Sequence, residues 1–207
     1  MLFRSSGRAV ANRFANTAAD RQDGFNLNTI KLQLEKPLDD GEWTAGYRFE
    51  TMFGPDATVM PGRLGTSSIA IKQAYVALRI PVGNNIDVKL GQFDPIIGFE
   101  LTDSYANPNF SRSLGFNVLE PFGHQGVLAS YQFTEQIGAT AGVSNTQFGD
   151  ASGVNGGINV KDTVESNKSY MAGLTVKAGE RMGWFADSSA YVGVVEGGVG
   201  TGTDPLN

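Results

Sequence analysis

Connections of two sizes take turns along this chain: segments of alternating apolar and polar residues are joined by a tight turn, then a long polar loop, then a tight turn again. The tight set is Pro37–Glu42, Pro81–Asn85, Thr134–Gln136 and Ala178–Met182. The long set is Gly54–Ser68, Asp94 to roughly Gly123, Thr146–Ser166 and the glycine-rich end from Gly197. An up-and-down barrel sorts its connections in this way because one rim carries turns and the other loops, whereas a sandwich has no physical reason to do so. The long loops also exceed the about 4 to 6 residues usual in compact domains. The predicted fold class is therefore all-β: an antiparallel up-and-down transmembrane β-barrel, with about eight strands visible, short periplasmic turns and long outer loops.

The alternating rows carry the same message. Ile30, Leu32 and Leu34 oppose Lys31, Gln33 and Glu35, and Trp43, Ala45, Tyr47, Phe49, Thr51 and Phe53 oppose Thr44, Gly46, Arg48, Glu50 and Met52. Ala74, Val76, Leu78 and Ile80 form a third outward row, Ile86, Val88 and Leu90 a fourth, and Val127, Ala129, Tyr131 and Phe133 a fifth. Ile137, Ala139, Ala141 and Val143 follow, then Tyr170, Ala172, Leu174 and Val176. The last segment, Trp184 to Val195, has aromatics in both phases and leaves its face open. Trp43, Phe53, Phe133 and Trp184 fall mostly at strand ends, where an interfacial girdle would want them. Residues 1–24 are expected to be a loop or the remnant of a preceding strand, and residues 25–207 part of one barrel domain.

Composition permits this reading and removes several others. Only 41% of the 207 residues are apolar, and no window nears the roughly 18 apolar residues of a transmembrane helix, so a membrane could be crossed only by strands. A net charge of −5 without a basic run argues against nucleic acid. Absence of cysteine removes disulfides and thiol chemistry. Met1–Asn12 lacks the continuous apolar run of a secretory signal, which an envelope protein would need, so the start is expected to be missing.

The match to a known family is local. Asp20–Pro37 (DRQDGFNLNTIKLQLEKP), Ile71–Glu100 and above all Asn107–Tyr131 (NPNFSRSLGFNVLEPFGHQGVLASY) resemble the OmpL-like outer-membrane β-barrel porins of Gram-negative bacteria. The pattern falls on Asn107, Phe110, Ser111, Ser113, Pro121, Phe122, His124 and Gly126. The resemblance implies a secretory signal, a closed barrel in the outer membrane and passive movement of small hydrophilic solutes or ions, with no cofactor and no enzyme chemistry. It also implies more than the about eight strands visible, and a closing amphipathic strand with a final aromatic that the end, GTGTDPLN, lacks, so the chain is expected to be the N-terminal part of a larger barrel. Partners would be outer-membrane lipid and the solutes; a homo-oligomer is admitted, although nothing identifies its face. The alternatives are a secreted soluble β-sandwich for binding or adhesion and, third, an outer-membrane barrel enzyme.

On the pore reading Lys31, Glu35, Arg48, Glu50, Arg79 and Lys89 line the lumen, with Arg48 and Arg79 as constriction residues. The plainer reading makes all six a solvated strand face or intraluminal ion pairs. The Asp94–Gly123 loop carries Phe99, Tyr105, Phe110, Phe116 and Phe122, too many aromatics for a loop in water. It is expected to fold back as a constriction shaped by Asp103, Arg112 and Glu120, or else to form a surface cap or subunit contact. His124 fits a hydrogen-bonded structural role better than a metal site. With one histidine and no Gly-x-Ser-x-Gly elbow, hydrolase chemistry has no anchor. Asp150, Asp162 and Glu165 lack the ligand spacing of a calcium loop.

Overall fold

The structure, a computed structural model, describes residues 27, 29–54, 57, 68–103, 106–108, 113, 115–116, 120–121, 123–145, 168–186 and 188–197. The expected segment 1–24 lies outside them, as do Arg112, Asp150, Asp162 and Glu165. Eight strands form one antiparallel sheet in sequence order: β1 Ile30–Lys36, β2 Thr44–Phe53, β3 Ile69–Ile80, β4 Ile86–Phe93, β5 His124–Gln132, β6 Ile137–Ser144, β7 Ser169–Lys177 and β8 Ser189–Gly197. Each pairs with the next, and β1 and β8 are the two ends of the order. This is the expected up-and-down arrangement as an unclosed, partial barrel; the sandwich alternative would need a second sheet over the aliphatic rows.

The rows place one apolar and one polar face. Leu32 and Leu34 on β1, Val76 and Leu78 on β3, Leu174 and Val176 on β7, and Val192 and Val194 on β8 are all exposed on the same side, Val192 to 67%. Lys31, Arg48, Glu50, Lys89 and Thr140 occupy the opposite phase. Period two dictates this, because register pairs like with like: Leu32 with Thr51, Leu34 with Phe49, Phe49 with Ala74, Val76 with Leu90.

The sheet is curled. Gly193 on β8 stands level with Asp87 on β4, through Gly173, Thr140 and Ser130. In a flat sheet Phe93 would therefore lie about 28 Å from Gly193, four strand spacings across and six residues along. Yet the carbonyl oxygen of Ile96 lies 3.7 Å from where a Cβ on Gly193 would stand. Ile96 is three residues beyond Phe93, a reach of about 19 Å including that contact. The segment after β4 is thus a chord across the polar face, and the sheet wraps around it.

Two expectations about the strands change. The β7–β8 connection is longer than the expected Ala178–Met182, because residues Glu180–Phe185 form a 3₁₀ turn in which Gly183 takes φ 59°, a conformation that suits a residue without Cβ. Trp184 and Phe185 therefore sit in that turn, exposed and 4.5 Å apart between ring centroids, rather than in a strand. This resolves the conflicting phases: β8 proper puts Ala190, Val192 and Val194 on the apolar face. At the same rim Trp43 and Phe133 are also exposed, 74% and 54%, so three of the four girdle residues stand at the short-turn end, whereas Phe53 closes β2 at the long-loop end.

The second change is in β3. Thr51 pairs with Ile71 but Glu50 with Gln73, so one extra residue sits opposite Glu50. This β-bulge puts Lys72 and Gln73 both on the polar face. By strict alternation from Ala74, Lys72 would have joined the aliphatic row.

Candidate functional site

The polar face has an apolar floor at one side and a charged cluster at the other, and the chain after β4 joins them. Phe93, Leu128, Met171 and Val195 are buried together, and Ile96 and Ile97 of the chord rest on them with Tyr75. Glycine at 173 and 193 leaves room: a Cβ on Gly193 would stand 2.6 Å from Ile97 Cγ2. At the far end of the chord the Tyr191 hydroxyl donates to the Gly98 carbonyl at 2.7 Å.

The segment then turns back. Asp103 Oδ2 accepts from Lys31 Nζ of β1 at 2.9 Å and from Lys72 Nζ of β3 at 3.1 Å. The same two ammonium groups flank Glu50 Oε1 at 3.1 and 3.3 Å, and Arg48 takes Glu50 Oε2 at 2.7 Å while reaching Glu35 at 3.4 Å. Gln73 Nε2 donates to Asp94 at 3.0 Å, and Lys72 lies 3.6 Å from the same carboxylate. Three cations thus meet four carboxylates, and the Glu50 side chain is fully buried among them. A buried carboxylate is tolerable only when so paired.

Two carboxylates of the long-loop segment titrate in opposite directions. Burial pushes the Asp103 carboxyl up, but the Lys31 and Lys72 ammonium groups together outweigh it and hold Asp103 below the ordinary carboxylate range. At Asp94 burial prevails over the Lys72 charge and raises it.

A family model described as "Putative beta-barrel porin-2, OmpL-like" matches residues 3–193. The chain belongs to this OmpL-like β-barrel porin family. No curated protein and no solved structure matches it. Family membership fits a sheet whose large apolar face is left bare and whose polar face wraps its own loop, and it gives a porin-type role in general.

In this porin the six residues read from the strands as lumen-facing fall into three places. Lys31, Glu35, Arg48 and Glu50 meet in the cluster. Lys89 stands beside it, its Nζ 5.0 Å from the Tyr75 ring centroid. Arg79 lies apart at the short-turn rim, gripped by Asp87 through two bonds of 2.7 and 2.8 Å and donating to the Asp39 carbonyl. Arg48 and Arg79 are therefore not brought together. Near Arg79 a cavity of about 350 Å³ is lined by Asp87, Ser130, Gln132, Thr140, Thr175 and Lys177.

Of the loop residues, Asp103 joins the cluster, whereas Glu120 braces the loop from within by accepting from the Phe99 amide at 3.0 Å. Of its aromatics Phe99 is 72% exposed and Phe116 is buried, while Tyr105, Phe110 and Phe122 lie outside the described residues. Among the described residues Ile96, Ile97 and the carboxylates tie it to the sheet. His124 is buried against Phe93 with Ser144 Oγ 3.5 Å from Nδ1, and among the described residues no group of three or more His, Cys, Asp or Glu could hold a metal ion.

Sequence reasoning missed Lys72, Gln73, Asp94, Ile96, Ile97 and Tyr191. Lys72 had a signal: a lysine in the aliphatic phase demands either a bulge or a charge on the apolar face. Gly98 yields one expectation. It takes φ 113°, and a Cβ there would run into the Glu120 carboxylate. Gly98→Ala should loosen the Tyr191 end of the chord by about 1–3 kcal/mol, read as faster cleavage in segment 94–103 under native-state proteolysis.

Proposed function

We propose that the chain forms part of a water-filled outer-membrane channel for passive diffusion of small hydrophilic solutes. The observation that carries this is the pairing of faces: aliphatic rows bare on one side of the curled sheet, and on the other a charged cluster with a loop drawn across it. On this reading the bare rows meet lipid, which accepts every second residue as apolar. Trp43, Phe133 and Trp184 form the interfacial girdle of the periplasmic rim, and the long loops face outward.

The lumen is then lined by Lys31, Glu35, Arg48, Glu50, Lys72 and Lys89, with Arg79 at the periplasmic mouth. Segment Asp94–Asp103 is the constriction. Its acidic residues are offset by the cations of the wall, so the field along the path favours neither sign strongly, and the channel should be weakly selective between small ions. No bond chemistry is involved.

Solute flux tests the reading. Vesicles carrying the refolded full chain should swell in isotonic solutions of small neutral sugars, at rates falling as solute size rises. Swelling no faster than in protein-free vesicles would remove the channel function while leaving the fold untouched.

A further inference from the structure

The bulge that turns Lys72 toward Asp103 disturbs the neighbouring ladder, and its repair comes from the opposite face. Pairing between β3 and β4 begins at Ala74–Gln92, so the main chain of Ile71 and Lys72 lies beyond it. Main-chain carbonyls in so buried a place need donors, and a bulge withdraws the regular ones. Gln92 supplies them: its Nε2 donates to the carbonyls of both Ile71 and Lys72, the latter at 3.0 Å. Gln125, paired with it across β4–β5, donates from Nε2 to Gln92 Oε1 at 3.0 Å, which fixes the amide with its two N–H bonds toward the bulge.

Both glutamines stand in the outward phase that Leu90 and Val127 occupy one step earlier or later, where an aliphatic side chain would be the ordinary choice. Gln92 is nonetheless only 6% exposed. A buried amide in an apolar row, with both ends satisfied, is there for its hydrogen bonds.

We propose that Gln92, oriented by Gln125, is a positioning residue for the constriction loop. It holds the bulge that aims Lys72 into the polar face, and Lys72 in turn holds Asp103. The line of contact runs from Gln125 to Gln92, to the Ile71–Lys72 main chain, to the Lys72 ammonium and to the Asp103 carboxylate. The inference rests on reading segment 94–103 as a constriction, but its test does not require conductance.

The chain has no cysteine, so Thr102→Cys, beside Asp103, gives a clean probe in the refolded full chain. With a small water-soluble maleimide, Gln92→Leu should speed labelling of the thiol at position 102 about tenfold over the parent, the population change expected from unpairing a buried carbonyl. Gln125→Leu, which keeps the Gln92 donors, should move the rate less and in the same direction, and it serves if Gln92→Leu fails to fold. In a Lys72→Met background, already fast, Gln92→Leu should add nothing, because both act on one contact. A general loss of structure would instead also speed labelling at Thr175→Cys on β7, whose rate should stay fixed. Unchanged labelling at position 102 in both glutamine variants, or an effect that adds to that of Lys72→Met, would overturn the proposal. If the thiol at position 102 responds as expected in a chain that passes no solute, the coupling stands and the channel reading falls; a conducting chain without the response removes the coupling alone.

Discussion

Leu174→Arg will block stable insertion into bilayers, whereas Thr175→Arg, one residue further along β7, will leave the chain folded. The two positions differ only in phase. Leu174 is 42% exposed in the bare aliphatic face, between Ala172 and Val176, and pairs with Ala139 and Val192. Thr175 faces the opposite way, into the cavity at the short-turn rim. A guanidinium on the lipid side of a barrel near the bilayer midplane costs about 2–4 kcal/mol, while on the watery side it is solvated. That cost is a large share of ordinary folding stability, about 5–15 kcal/mol. The check is urea unfolding in phospholipid vesicles followed by tryptophan emission. Equal losses for the two variants would show that the two faces share one solvent.

Asp103→Asn should release the constriction. Asp103 is the loop carboxylate that both Lys31 and Lys72 grip, and the Lys72 side chain is only 6% exposed. Removing the charge leaves two ammonium groups leaning on Glu50 alone, apart from the more distant Asp94. Breaking one partner from a buried ion pair costs about 3–5 kcal/mol, and with Asp103 neutral the end of the segment loses both of its ionic ties to β1 and β3. Single-channel conductance should rise, and current noise with it. Unaltered conductance and noise would mean that segment 94–103 does not narrow the path.

Acid should reproduce this variant reversibly. Because Asp103 is held below its unfolded value, its contribution is complete above about pH 4 and is lost as pH falls through the lower folded value. Asp94, raised by burial, behaves in the opposite sense: its charged form is disfavoured by folding, so it protonates earlier in the descent and adds stability as it does. Noise should therefore stay low through the first carboxylate step and rise only in the second, more acidic one. Asp103→Asn should lack the second step.

The strands were legible because a half-buried strand has only one pattern to offer. Leu32, Val76, Val127 and Leu174 all stand where alternation puts them. Lys72 was missed because a bulge changes parity without any change in composition, and only the cost of a lysine in an apolar row could have revealed it. Trp184 misled in the opposite way, an aromatic near a strand that belongs to a turn made possible by Gly183. That the long loop folds back was legible from its apolar content, yet Ile96 and Ile97 were not singled out for it. Aromatics such as Phe99 are conspicuous by size, whereas the pair Ile96–Ile97 gains its grip from glycines at 173 and 193, which no local pattern brings to the same place.

The most direct measurement is thiol block of current through the refolded full chain in planar bilayers, with single cysteines placed in turn at Thr140, Thr175, Val76 and Leu174. A charged, membrane-impermeant thiol reagent should reduce the current at Thr140 and Thr175 and leave it unchanged at Val76 and Leu174. Absence of current in the parent, or equal block at all four positions, would contradict the account that the polar face is the wall of a channel.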